Sequence, residues 1–295
     1  MAIDPTLQPG APTTIDPTPL RLGILGAARI TNLAVIKPAR IIGTRLVAVA
    51  ARDSQRATAF AKVHNATEAE EVAEQVSGND RQFFEGFHYL WYPLIARLHA
   101  ILTSGELGDL RHVETVMDMP APDPADPRWS LALSGGALMD LGCYSLHSMR
   151  VLAPYLGGEP ALISATGGER EGNPGVDEWV TAELQFPNGV TGTAGCNMAS
   201  DHHQMSHRLI GSSGEAVVTD FVNPHNDDRL IVTTRDGTRT EHLGTRSSYT
   251  YQLEAFTAAV RSGVPARTDA IDAVMTMRLI DKCYQAIGMQ PQPHS

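Results

Sequence analysis

The sequence predicts an α/β protein in two parts: a parallel-sheet domain first, then an α+β domain with a large open, mainly antiparallel sheet. Three observations carry that expectation. Near-continuous apolar strands alternate with helical stretches between Leu20 and about His64, as a parallel sheet covered on both faces requires. Strand-like alternation of period two dominates from His112 to about Leu243. The 295 residues, 42% apolar and 19% charged, are enough for two medium domains with sizeable cores.

Residues 1–19 (MAIDPTLQPGAPTTIDPTP) are rich in Pro and Thr and lack the basic-then-apolar order of a signal peptide, so a solvated, disordered tail is expected. Leu20 to Ala28 is an apolar strand running into a turn of small residues. A helical stretch follows, and Arg45 to Ala51 (RLVAVAA) is a second buried strand. Asp53 and Ser54 offer an N-cap for a helix reaching about His64. From Ala66 a short acidic helix is expected, then the aromatic run Gln82–Pro93 (QFFEGFHYLWYP), then a helix ending in SGELG.

The clearest sheet signal is Val176 to Met198. Val180, Ala182, Leu184 and Phe186 alternate with Trp179, Thr181, Glu183 and Gln185, and Pro187-Asn188-Gly189 turns the chain back. One face is apolar and the other mixed, so the mixed face must be covered or pair with another subunit. Two helices close the chain. Tyr251–Arg261 sets Leu253, Phe256 and Val260 on one side before Gly263, and Thr268 is placed as the cap of the last helix. There Ile271, Met275, Leu279 and Cys283 recur every four residues, which marks Cys283 as core.

Composition excludes several classes. A net charge of −10 and no basic block argue against nucleic acid and anionic membrane as partners. No apolar run is long enough to span a bilayer. Three scattered cysteines (Cys143, Cys196, Cys283) suit neither a disulfide framework nor zinc, and a cytoplasmic location is expected. His203 and His207 are four apart, but on a strand that spacing is about 13 Å. No acidic or cysteine cluster joins them or His202, so no metal is expected, and all three are read as exposed strand or loop residues.

The first chemistry-bearing pattern is LGILGAARI, Leu22–Ile30. Gly26 follows the strand, Ala28 stands two later, and Thr31 fills the third place of the G-x-G-x-x-G spacing. A tight turn of small residues lets backbone N–H groups at a helix N-terminus reach a pyrophosphate, although it also serves simple tight packing. Gly26, Ala27, Ala28, Arg29 and Ile30 are the candidate cofactor-binding residues of this turn. At the end of the second strand stands Ala51-Arg52-Asp53. Arg52 can pair a 2′-phosphate, which favours NADP while leaving NAD open, and Asp53 is read as the helix cap.

With these residues in place, the chain from Leu20 to Met289 resembles the Gfo/Idh/MocA oxidoreductases, within them the glucose–fructose oxidoreductase and dihydrodiol dehydrogenase branch. LRLGILGAARI is similar to the family's first strand and turn, VAVAARDSQRATAFA to its second strand and helix, and EGFHYLWYP to the strand leaving the nucleotide domain. GELGDLRHVE, SGGALMDLGCYSLH, YTYQLEAFTAAVRSG and DAVMTMRLIDKCYQA follow in the family's order. The resemblance implies a shortened Rossmann-like domain at 20–87 and a substrate and oligomerisation domain at 88–295. It implies hydride transfer between nicotinamide and a carbinol or carbonyl carbon of a sugar, polyol or related diol. Tyr144 would be the general acid/base and Asp140, four residues earlier on one helix face, its orienting partner. His88, Tyr92 and His147 are weaker substrate candidates. A homodimer or homotetramer through the open sheet is also implied.

The chain departs from the family at one point. Relatives carry Glu-Lys-Pro late in the nucleotide domain, whereas Lys37, Lys62 and Lys282 here all lack a preceding Glu. AFAKVHN runs directly into ATEAEEVAE, so a segment of roughly 50 residues holding three strands of the doubly wound sheet is missing near His64–Ala66. Its loss would leave the first strand with an open apolar edge. That favours residues omitted from this sequence over a genuine deletion. With a genuine deletion the chain would be a catalytically lapsed relative, a nucleotide-binding or sheet-mediated interaction protein.

Overall fold

The computed structural model describes residues 18–25, 30–50, 67–68, 84–264 and 266–292. The architecture is mixed α/β, with one parallel and one large, mostly antiparallel sheet. The chain divides into two compact units: Met1–Trp91 with Arg246–Ala266, and Tyr92–Thr245 with Arg267–Ser295. The expected division into 20–87 and 88–295 misses this return of the chain to the first unit.

In the first unit, strand β1 (Arg21–Leu25) pairs in parallel with β2 (Arg45–Ala50). Between them run a wide helical turn at Asn32–Ile36 and helix α1 (Lys37–Ile42), which Gly43 ends in the left-handed conformation. Ile24 and Ile36 are buried together, with Val35 and Leu46 against them. Strand β3 (Thr67–Glu68) adds to β2 in parallel, Ala48 opposite Thr67. The acidic helix expected from Ala66 lies outside the described residues except at Thr67 and Glu68, which are extended and pair with β2. Among the described residues β1 pairs with β2 alone.

The aromatic run is not a strand. Residues 84–87 are irregular and His88–Trp91 is a short 3₁₀ turn. Phe84 stacks on Trp91 at 5.3 Å between ring centroids and meets Phe256 edge-on, so aromatic packing overrides the strand preference of these residues.

The second unit opens with α2 (Pro93–Ser104), started by Pro93 and closed by Gly105 at φ 78°. Eight strands follow in the order β11-β10-β9-β8-β4-β7-β6-β5. They are β4 (Leu110–Asp118), β5 (Ala161–Glu169), β6 (Asp177–Gln185), β7 (Thr191–Asn197), β8 (Gln204–Gly211), β9 (Gly214–Val218), β10 (Arg229–Thr234) and β11 (Gly237–His242). All neighbours are antiparallel except β4 and β7. Val180, Ala182, Leu184 and Phe186 are buried as the alternation requires, while Trp179 and Glu183 face outward.

On the buried face lies helix α3 (Cys143–Arg150), continuous with a wide π-type turn at Leu138–Gly142. Leu146 and Met149 are buried, and a Cβ at Gly192 of β7 would stand 3.1 Å from the Met149 sulfur. Helix α4 (Ser248–Ser262) belongs to the first unit, and α5 (Ala270–Ala286) to the second. On α4 Leu253 and Ala259 are buried but Val260 is exposed. The cap of α5 is Asp269, whose carboxylate accepts from the N–H groups of Ile271 and Asp272, while Thr268 is buried.

Candidate active site

The residues around Asp140 are arranged by close backbone packing. The loop 119–136 crosses in front of the π-turn, and the Gly136 N–H donates to the Arg128 carbonyl at 2.9 Å. A Cβ at Gly135 would lie 2.4 Å from that same carbonyl oxygen. Gly136 has φ 133°, and a Cβ there would lie 2.0 Å from Asp177 Oδ1. Two glycines are therefore needed where the helix starts. Ser134, beside them, is the one non-glycine with positive φ (54°) among the described residues.

A pocket of about 300 Å³ opens against this turn, lined by Pro127, Arg128, Leu133, Ser134, Gly135, Gly136, Met139 and Asp140. Arg128 Nε donates to Asp140 Oδ2 at 2.7 Å and Nη1 approaches Asp126 at 3.4 Å. Tyr144 is half-buried one turn beyond Asp140 on the same helix. The pocket thus joins a carboxylate that accepts, a guanidinium that donates, a serine and apolar Leu133 and Met139. Such a lining suits a hydroxylated ligand with an apolar side.

Behind the turn stands Asp177, fully buried. Its Oδ2 accepts the Leu138 N–H at 2.6 Å and its Oδ1 accepts the Tyr284 hydroxyl at 2.8 Å. Burial pushes its carboxyl above the usual range, against the lowering effect of those two donors. Strict alternation from Val180 would turn Asp177 outward with Trp179. However, Gly168 pairs with Trp179 and Glu169 with Asp177, so Glu178 is the extra residue of a bulge that turns Asp177 inward. No pattern in the sequence marks that bulge. Arg128 was equally hidden, since an arginine in a Pro-rich loop is ordinarily solvated.

The other candidates fall elsewhere. His147 is buried, with Nε2 3.0 Å from Asp272 Oδ2. Burial lowers its pKa against the raising effect of Asp272. Arg150 Nη1 binds the same Asp272, and its Nε and Nη2 reach Glu159, so this group ties α3 to α5. His88 and Tyr92 lie in different units. His88 is buried, its Nδ1 2.9 Å from Ser248 Oγ and its ring 4.0 Å from that of Tyr249. The Tyr92 hydroxyl donates to the Gly244 carbonyl.

Of the histidines weighed for metal, His202 and His203 are exposed, as expected. His207 is not. It is buried beneath α3, Nδ1 2.7 Å from Thr115 Oγ1, which in turn meets Ser148 Oγ at 3.0 Å. The inward side of β8 carries it there.

Gly26, Ala27, Ala28, Arg29 and Arg52 lie outside the described residues. On either side of them, β1 ends at Leu25, and Ile30 and Thr31 are helical, with Thr31 buried. Ile30 itself is exposed.

Residues 95–217 match the family model described as the GFO/IDH/MocA C-terminal domain. D-xylose 1-dehydrogenase (NADP(+)) 2 of Haloferax volcanii is 31% identical over 205 residues, 68% of this chain and 61% of that protein. Trans-1,2-dihydrobenzene-1,2-diol dehydrogenase of Sus scrofa is 32% identical over 159 residues, 53% of this chain and 45% of the relative. The chain thus spans about half to three-fifths of the length of these relatives. Two solved structures share the fold at low identity. A 3-ketoreductase from Actinomadura kijaniata, in complex with NADP and TDP-benzene, has a TM-score of 0.79 at 19% identity, covering 91% of this chain and 98% of that one. An aldose-aldose oxidoreductase from Caulobacter crescentus, complexed with glycerol, has a TM-score of 0.79 at 17% identity, covering 92% and 98%.

Proposed function

Residues 95–217 form a GFO/IDH/MocA C-terminal domain, and from that premise we propose that the chain is an NADP-dependent oxidoreductase of sugars or diols. One observation carries the reading: within the matched domain, Asp140 lines a pocket whose donors and acceptors suit hydroxyl groups, with Tyr144 one turn on. The xylose and dihydrodiol dehydrogenases among the relatives support the substrate class, and the NADP(+) named for the former supports the cofactor.

The bound dinucleotide supplies the hydride acceptor or donor. The chain supplies the proton chemistry. Tyr144 takes the proton from the substrate hydroxyl during oxidation and returns it to the carbonyl oxygen during reduction. Asp140 accepts from a neighbouring hydroxyl and fixes the substrate's orientation, with Arg128 holding the carboxylate. Gly26, Ala27, Ala28, Arg29 and Ile30 would hold the pyrophosphate, and Arg52 the 2′-phosphate. The protein works in the cytoplasm as a homodimer or homotetramer paired through the mixed face of the large sheet. Trp179 and Ile163 are exposed in that sheet. No helix among the described residues is long and apolar enough to cross a membrane.

The absence of Glu-Lys-Pro favours a second reading, the catalytically lapsed relative. Thermal unfolding with NADP⁺ and with NAD⁺, followed by turnover of D-xylose and a trans-dihydrodiol, separates the two. Saturation at about 100 times Kd stabilises the folded chain by about 2.7 kcal/mol. The oxidoreductase reading expects an NADP⁺ shift, turnover, and loss of about 100-fold or more in kcat in Tyr144→Phe with the shift retained. A shift without turnover selects the nucleotide-binding form of the lapsed reading, and no shift from a cooperatively melting chain removes the oxidoreductase reading.

A further inference from the structure

The mechanism above uses Asp140 and Tyr144 but leaves a fully buried carboxylate unexplained one turn away. Asp177 has two donors, the Leu138 N–H and the Tyr284 hydroxyl. Leu138 is the first residue of the π-turn, two before Asp140 and six before Tyr144. A β-bulge aims Asp177 inward, and Gly136 makes room for it: any Cβ at that position would fall on Asp177 Oδ1. Three separate departures from regular structure (bulge, positive-φ glycine, π-turn) thus converge on one carboxylate–amide contact. A buried negative charge at that place is favoured by the unpaired N–H groups and positive dipole end of the helix it faces.

We infer that Asp177 is a positioning residue: its carboxylate, braced by Tyr284, fixes where the Asp140–Tyr144 helix begins and so where both side chains stand in the site. The inference rests on the oxidoreductase reading for its consequence in turnover. Without Asp177, the Leu138 N–H is a buried donor with no acceptor, and the first turn frays through Asp140. Tyr284 braces from α5, so its removal is milder than removal of the carboxylate.

The test compares Asp177→Ala, Asp177→Asn and Tyr284→Phe in the full chain. Asn keeps one carbonyl oxygen for the Leu138 N–H, because the Tyr284 hydroxyl can turn to accept from its amide group. Amide hydrogen exchange over 138–144 is read beside kcat and the KM for NADP⁺. Asp177→Ala is expected to speed exchange over 138–144 by about 10-fold or more and to lower kcat by a similar factor, because a buried donor is left unpaired. The KM for NADP⁺ and the exchange of β7 stay unchanged. Asp177→Asn recovers most of both losses, and Tyr284→Phe stays within about threefold of the unaltered chain.

Unchanged exchange over 138–144 in the Ala variant, faster exchange everywhere alike, or no recovery with Asn overturns the inference. If the Ala variant does not fold, the unaltered chain decides: a Leu138 amide exchanging near the unprotected rate overturns it, and one protected like the β7 amides supports it. Absence of turnover in the unaltered chain would sink the oxidoreductase reading alone, since the exchange contrast is read without activity.

Discussion

Arg128 holds the start of the Asp140 helix at two points: its guanidinium Nε donates to Asp140 Oδ2 at 2.7 Å, and its carbonyl accepts from the Gly136 N–H. The side-chain pair is partly exposed, so its contribution to stability is below about 1 kcal/mol. On the proposed oxidoreductase reading its larger contribution is to substrate orientation, because a freed carboxylate would sample rotamers that miss the hydroxyl it should accept from. Arg128→Ala is expected to raise the KM for sugar or diol by about 10-fold with a nearly unchanged melting temperature. The backbone tie survives that change. A lowered melting temperature with an unaltered KM would show that the side chain braces only the loop.

Gly136 and Gly172 both have positive φ, 133° and 81°, but only Gly136 has a neighbour where a Cβ would go. Alanine at Gly172 meets nothing within 4 Å, so its cost is the backbone strain alone, about 1–2 kcal/mol. Alanine at Gly136 must also displace the buried Asp177 carboxylate, and its cost should exceed about 3 kcal/mol. Denaturant midpoints of the two variants measure the difference. Equal midpoints would show that Asp177 can move aside.

His207 gives the second unit a pH response of known sign. Burial lowers its pKa to about 4 from 6.5. Between those values the unfolded chain binds a proton that the folded chain refuses, so stability is full above 6.5 and falls as pH drops toward 4. His99, lowered to about 3 chiefly by burial, acts in the same direction. Stability should therefore fall between pH 6.5 and 5, with each such histidine contributing up to about 1.4 kcal/mol per pH unit. His207→Asn, which can still bond Thr115, should flatten the slope by about one proton's worth. An unflattened slope would place the uptake elsewhere.

Which parts of this molecule were legible depends on whether a pattern repeats. The β6–β7 hairpin was plain because burial on one face imposes period two, and Val180 to Phe186 keep it. Gly263 was readable as a helix stop because the left-handed conformation favours glycine. Asp140 and Tyr144 are candidates through the family resemblance and their four-residue spacing, and of the two Asp140 lines the pocket. Asp177 was not, since a bulge reverses the side its neighbours predict. Arg128 was not, since it reaches Asp140 across a loop with no period. The aromatic run failed differently: its residues favour strands in isolation, yet stacking on Phe84 holds them in a tight turn.

Helix α5 shows how such a reading errs by geometry and what that error predicts. A spacing of four residues advances about 400°, so each step drifts about 40° around the helix. Three steps carry Ile271 about 120° away from Cys283. Accordingly Ile271 is 74% exposed and Cys283 fully buried, while Thr276, Leu279, Ile280 and Tyr284 complete the inward face at spacings of three and four. Ile280→Ala should then cost about 2–5 kcal/mol through lost burial and a residual cavity. Ile271→Ser should stay within about 0.5 kcal/mol, because its side chain already meets solvent. Urea midpoints of the two variants check both. A costly Ile271→Ser would mean that its exposed surface is covered in the working protein, as a subunit contact through α5 would require.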